Sequence, residues 1–480
     1  MEVLYSSRRV LLEDNDGTFR LTDAGILVSQ ETGKILRVLE TQEEINSLLM
    51  SSRGLNVVDY GNLMILPGLI DSHVHINEPG RTDWEGFETA TKAALAGGFT
   101  TIVDMPLNSI PPTTTLGNLK TKIEVARQKI YTNCGFWGGV IPGNDKNLQE
   151  MIRHGVVGFK CFMCPSGVDE FPHVTLPDLE LAMEKLKGYE TVLAFHAEVD
   201  NSCCGGSNSA DPDPKKYETY LKSRPDQMEI EAIQTVCDLS KKHDVNCHIV
   251  HLSTALALPT IRQAKLDGIK LTVETCHHYL ALNSETVPDA STEFKCAPPI
   301  RTKDNQTQLW QALRDKTLDM VVSDHSPSTP GMKLLIYGNK NRGNFLDAWG
   351  GISSVQFGLS LFWTNCQMYN FDITDAVRLL CKAPAKLCGF DKTKSRIAVG
   401  FDADFCIFDE NQTFQVSQEI IQFKNKATPY MGMQLRGVVH ATILGGIVAF
   451  DKGIVQGGPK GKILLRNGRE ERMKKRAIPV

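Results

Sequence analysis

The chain has 480 residues, 41% of them hydrophobic and 22% charged, with a formal net charge of −4. That length calls for more than one core, and that composition excludes a chain dominated by disorder. The slightly acidic balance argues against the basic face that nucleic-acid backbones need, and no run of about 18 apolar residues offers a membrane span.

Short strands are expected near the N-terminus at 3–12, 25–29, 35–39 and 56–59. The first residues carry Arg8 and Arg9 but also Glu2, Glu13 and Asp14, without an apolar stretch before a cleavage site, so no secretory leader is expected. From about residue 66 the pattern changes. Short apolar runs alternate with helix-length amphipathic segments, such as 84–96 and 226–243, which is the alternation of a parallel sheet closed into a barrel. Eight strands are expected, at 66–76, 100–105, 133–141, 156–163, 191–197, 246–252, 270–276 and 319–323. The stretch 201–214, with Pro212 and Pro214, reads as a loop, and so does 326–344, rich in Pro, Gly and Asn and placed to act as a mobile lid. Strand-like segments return at 403–408 and 438–450, the second turning at Gly445-Gly446. The two ends resemble each other and not the middle. The expected fold is therefore α/β: a catalytic (β/α)8 TIM-type barrel over 67–394, and a small β-sandwich domain built from 1–66 and 395–480.

The 13 cysteines mostly sit singly in apolar stretches, as do Cys161, Cys237 and Cys406. They read as reduced, buried side chains of a reducing compartment. Cys203-Cys204 lies in a Gly/Ser/Asn-rich loop with no partner at metal-ligand spacing.

In such barrels chemistry sits at the C-terminal strand ends. There the sequence places His73-Val74-His75, Lys160, His196, His251 and Asp324, all within apolar runs where an unpaired polar group is costly. His73 and His75, two apart, share one face of a strand. They suit a metal such as zinc, or else form a hydrogen-bonded core pair. Burial of Lys160 would favour its neutral amine. His248 and His251, three apart, face opposite ways, so His251 is the better candidate and His248 is expected to pack outside against a helix. His277 and His278 follow the seventh strand, where a pocket role and a structural role both stand. Asp324, followed by Pro327 and a loop, is placed better to bind a metal and move a proton than to cap a helix.

Taken in order, this set resembles the amidohydrolase superfamily in its cyclic amidase branch, over nearly the whole chain. Ile397-Ala398-Val399-Gly400-Phe401-Asp402-Ala403-Asp404 is similar to the stretch where that family's chain re-enters its β-sandwich. Glu78-Pro79-Gly80-Arg81-Thr82-Asp83-Trp84-Glu85-Gly86, Asp104-Met105-Pro106-Leu107-Asn108, Val157-Gly158-Phe159-Lys160-Cys161-Phe162, Lys295-Cys296-Ala297-Pro298-Pro299-Ile300-Arg301 and Ala348-Trp349-Gly350-Gly351 are similar to segments of the allantoinases. The resemblance implies two divalent ions, zinc first and manganese or cobalt as alternatives. His73, His75 and Asp324 would hold one and His196 and His251 the other, with Lys160 carboxylated on Nζ and bridging them. It implies opening of a small neutral cyclic amide, allantoin, to allantoate in purine degradation, with Asp324 carrying the proton, and it implies a homotetramer.

Asn77, Thr275, Trp349 and Gly350 are the expected substrate contacts. Asn77 stands where dihydroorotases carry an arginine for a substrate carboxylate, and Pro165 where dihydropyrimidinases carry a tyrosine for the oxyanion. A polar, non-ionic pocket follows as an expectation. The alternatives are a dihydropyrimidinase or hydantoinase type of cyclic amidase, and a non-catalytic dihydropyrimidinase-related assembly protein, against which the filled ligand positions speak. No nucleic-acid or membrane partner is expected. The C-terminal Ile478-Pro479-Val480 is not a peroxisomal address. A cytoplasmic location is expected, with peroxisome and mitochondrion left open.

Overall fold

The computed structural model describes residues 1–52, 54–199 and 212–466. Most of the loop expected at 201–214, and Cys203-Cys204 with it, lies outside the described residues.

Strands from both ends of the chain share one nine-stranded sheet. Glu2–Glu13 pairs antiparallel with Phe19–Ser29, which pairs with Lys34–Leu39. Met64–Pro67 runs beside Glu2–Glu13 on one side and antiparallel to Phe405–Gln415 on the other, so this four-residue strand joins the two ends. Phe405–Gln415 continues into Gln434–Leu444 and Ile447–Asp451 across the Gly445-Gly446 turn. Alternation along these strands sends Tyr5, Ile26, Ile65, Phe405 and Ile443 into one apolar core. Leu4, Leu27 and Leu39 pack on Ile45 and Leu48 of helix Gln42–Ser51. The sequence reading passed over that helix although Thr41 and Glu44 form a capping box at its start.

The pattern at 66–76 reads as one strand, but the chain divides it. Met64–Pro67 belongs to the terminal sheet and Leu69–Val74 is the first barrel strand. The division falls at Gly68, where a Cβ would lie 2.2 Å from Thr100 Oγ1. Only a residue without a side chain lets the backbone pass there.

Eight parallel strands then follow in chain order. Leu69–Val74, Phe99–Asp104 and Asn133–Phe136 form one run. Gly138–Gly139, Phe159–Phe162, Leu193–His196, Cys247–Ile249, Leu271–Cys276 and Met320–Val322 form the other. Asn133–Phe136 and Gly138–Gly139 are halves of one strand interrupted at Trp137, and the Val157 N–H reaches the Phe136 carbonyl at 3.0 Å across the break. The ring closes where the His75 N–H donates to the His325 carbonyl at 2.8 Å, beside a parallel bridge between Val74 and His325. Strands buried on both faces read as unbroken apolar runs, which is why their number was visible in the sequence.

Helix Asp226–His243 spans the expected residues and stops where Asp244 turns left-handed at φ 58°. The helix expected from residue 84 starts at Phe87, whose N–H is capped by Glu78 at 2.8 Å. The segment 326–344 has no helix, strand or bridge, as expected of a loop, and the bridge residue His325 lies just before it. It is tied down, however: Lys333 within it is buried, and the Thr292 hydroxyl donates to the Lys333 carbonyl. Among the described residues no helix is long and apolar enough to cross a membrane.

Candidate active site

The C-terminal ends of the barrel strands bring His73, His75, Lys160, His196, His251 and Asp324 together. His73 and His75 point the same way, their ring centroids 5.5 Å apart, and both reach Asp324 Oδ1, from Nε2 at 3.1 and 3.5 Å. His196 ends its strand, and its Nδ1 lies 3.0 Å from His251 Nε2. Donor atoms of His73, His251 and Asp324 lie within 4.8 Å of one another. His251 and Asp324 each occupy a left-handed backbone, at φ 41° and 42°. Non-glycine residues there cost on the order of 1–3 kcal/mol each, strain that concentrates at functional sites.

A set of carboxylates fixes the imidazoles. Glu274 is buried, accepts from His73 Nδ1 at 2.5 Å and from His248 Nε2 at 3.0 Å, and also takes the His251 backbone N–H at 3.1 Å. Glu198 accepts from His196 Nε2 at 2.6 Å and is itself clamped by Arg224, Nη2 at 2.5 Å and Nε at 3.1 Å. With the proton of each ring held on the far nitrogen, His73 Nε2 and His196 Nδ1 keep their lone pairs for a cation. The Asn108 amide lies 3.5 Å from His75 Nδ1.

Burial pushes His75 down to about 4, lowers His196 and takes His251 well below the ordinary histidine value. These rings are therefore neutral at neutral pH. Burial opposes ionisation of Asp324, but His73 and its neighbouring rings outweigh it and hold the carboxyl well below the usual range. Glu274 and Glu198 are likewise held at about 2 against burial, by His73 and His248 in one case and by Arg224 and His196 in the other. Lys160 is buried, its Nζ 5.2 Å from the Phe162 ring centroid, and burial lowers its pKa. Among the described residues no carboxylate forms an ion pair with it. Neutral imidazoles, an ionised carboxylate and a buried amine facing one another are rich in lone pairs and poor in donors. The described residues therefore fit divalent cations.

The site opens into a cleft of about 610 Å³ whose wall includes His75, Lys160, His196, His251 and Asp324. Trp349 and Gly350 also line it. Asn77 and Thr275 do not form its wall: the Asn77 amide donates to the Pro327 carbonyl at 3.3 Å and the Thr275 hydroxyl to the Leu252 carbonyl at 2.9 Å. The non-ionic pocket expected from Asn77 and Pro165 needs correction, because Arg224 and Lys295 line the cleft. Both are already engaged, Arg224 with Glu198 and Lys295 with the Leu346 and Ala348 carbonyls. His248 does not pack against an outer helix; its Nε2 joins Glu274 and its Nδ1 lies 2.8 Å from the Thr272 hydroxyl. His277 and His278 are buried and stay off the cleft wall.

Sequence reasoning missed Glu274, Glu198, Arg224 and Asn108. Two of these carried a signal. Glu274 is a carboxylate within the apolar strand Leu271–Cys276, and Glu198 follows His196 by two, the spacing of one strand face.

The chain belongs to the amidohydrolase family, whose model matches residues 64–449. Membership implies a divalent metal centre, in keeping with the clustered histidines and Asp324. Among its relatives, the mitochondrial allantoinase of Aquarana catesbeiana is 50% identical over 379 residues, covering 78% of this chain and 74% of that protein. The allantoinase of Streptomyces avermitilis is 44% identical over 439 residues, 92% of this chain and 94% of that one. In structure the chain is similar to the L-hydantoinase (dihydropyrimidinase) of Arthrobacter aurescens, with a TM-score of 0.84 at 26% identity, covering 97% of this chain and all of the other.

Proposed function

We propose that this chain is an allantoinase, opening the hydantoin ring of allantoin with water to give allantoate. The observation that carries the reading is 44% identity to an allantoinase over 92% of the chain, joined to a strand-end set in which every metal-ligand position is filled. His73, His75 and Asp324 would hold one divalent ion and His196 and His251 a second, zinc in our reading. Lys160 would bridge them as a carbamate formed when its neutral amine takes up carbon dioxide, a step favoured by the burial that lowers its pKa. Divalent ions held by these residues would bring the pKa of water toward neutrality and polarise a carbonyl. Asp324, ionised and facing the cleft, accepts the proton of the attacking water and hands it to the departing ring nitrogen. Glu274 and Glu198 keep the histidines in one tautomer and orientation through the reaction. The Trp349-Gly350 backbone, on the cleft wall, supplies the non-ionic contacts that a neutral ring calls for.

A reducing, intracellular compartment is supported by the described cysteines, all of them buried. The test is a side-by-side assay on allantoin, hydantoin, dihydrouracil and dihydroorotate under matched metal and pH. Allantoin is expected to give the highest kcat/KM. A higher value on dihydrouracil would reject the assignment and leave a metal-dependent cyclic amidase.

A further inference from the structure

Two lysines near the cleft are buried in an unusual way. Lys333 is 2% exposed and Lys295 8%. Among the described residues neither forms an ion pair with a carboxylate. A buried ammonium without a counter-ion is costly unless its donors are all used. Here two of the three N–H donors of each ammonium go to backbone carbonyls. Lys295 Nζ donates to Leu346 at 3.0 Å and Ala348 at 2.5 Å, while Lys333 Nζ donates to Lys295 at 3.3 Å and to Gly351.

These carbonyls belong to the two chain segments that face each other across one cleft wall. Gly351 N–H donates to the Lys295 carbonyl at 2.8 Å, and Trp349 N–H to the Met332 carbonyl at 2.9 Å. A Cβ on Gly350 would sit 3.8 Å from Ala297 N, so the backbones abut. The Tyr220 hydroxyl holds the Cys296 carbonyl at 2.7 Å, and the Lys295 ammonium lies 4.9 Å from the Tyr220 ring centroid. Gly351, at φ +146°, brings its backbone so close to Ser326 that a Cβ would meet the Ser326 carbonyl oxygen at 2.3 Å. The N–H groups of Gly350 and Ala297, two residues of the cleft wall, have no partner among the described residues.

We infer that Lys295 and Lys333 are positioning residues that clip the segments at 295–297 and 346–351 together, so that their unpaired backbone groups meet the substrate amide at a fixed spacing. An apolar side chain of similar length would fill the space at lower electrostatic cost. It would leave four carbonyls to find other partners and free the two segments to drift apart. Both lysines act through the backbone carbonyls that they hold. The inference rests on the allantoinase reading only for its assay substrate.

The experiment uses the full-length metal-loaded protein and the variants Lys333→Met and Lys295→Met. Three quantities are measured: KM and kcat on allantoin, metal content, and hydrogen exchange of the amides at 348–351. Loss of a preset binding wall predicts KM raised about tenfold or more with kcat little changed, the signature of lost uniform binding. Metal content stays at the wild-type level, and the 348–351 amides exchange faster. Unchanged KM and unchanged exchange would overturn the inference. So would a fall in metal content and kcat together, which marks general loss of the fold. If Lys333→Met does not fold, Lys295→Met, at the more accessible of the two sites, decides. If the wild type does not hydrolyse allantoin, the functional reading fails, and the exchange measurement still decides whether the clip exists.

Discussion

Replacing Glu274 by glutamine keeps the shape of the strand and removes one charge at the base of the site. Glu274 accepts three hydrogen bonds, from His73 Nδ1 at 2.5 Å, His248 Nε2 at 3.0 Å and the His251 N–H at 3.1 Å. Glutamine has one acceptor oxygen, so its amide NH2 must face at least one of these donors. A hydrogen bond to a charged partner contributes about 1.5–3 kcal/mol, and a donor facing a donor in a buried site costs more than the bond it replaces. With the NH2 in the Oε1 position, the freed His73 ring can take the wrong tautomer and present a proton where a cation should be. Loss of such an outer partner typically lowers metal affinity about 10–100-fold, or roughly 1.4–2.7 kcal/mol. Competition with a chelator, starting from metal-stripped protein, measures this directly. A folded Glu274→Gln protein that binds metal within about twofold of wild type would refute the view that this carboxylate sets the imidazoles.

Lys160→Ala is expected to remove activity, with partial recovery when a short carboxylic acid is supplied to stand in for the carbamate. Full activity without added acid would rule out the bridging role. Acidification should destabilise the metal-free protein. His75, His277 and His278 are held by burial at about 4, 3 and 4 against an ordinary 6.5. The unfolded chain therefore binds more protons between those values. The stability contributed above about pH 6.5 falls as pH drops toward 4 and levels off near 3, and a melting curve that stays flat across this window would count against it. Gly68→Ala places a Cβ against Thr100 and should cost about 1–3 kcal/mol in denaturant unfolding, with no change in metal affinity.

The barrel was legible because fully buried parallel strands write themselves as apolar runs, and the candidate site because His73, His75, Lys160, His196 and Asp324 interrupt those runs with groups that cannot be buried idly. The strand boundary at Gly68 was hidden, since Met64–Pro67 and Leu69–Val74 are both apolar and only a close approach to Thr100 separates them. The substrate contacts were the least legible part. Asn77 follows the first barrel strand and Thr275 lies on the seventh, but their side chains turn to the Pro327 and Leu252 carbonyls. The cleft wall is instead assembled from segments about 50 residues apart, 295–297 and 346–351, joined by lysines whose role depends on tertiary contact and leaves no periodic trace.

The most direct test of a metal-dependent allantoinase follows activity and metal together. Protein stripped by a chelator is titrated with zinc, manganese or cobalt while allantoate formation and bound metal are recorded on the same sample. Activity should be absent from the stripped protein and rise with loading to a plateau near two ions per chain. Allantoin hydrolysis by stripped protein at the rate of the loaded enzyme, or full loading without any hydrolysis, would contradict it.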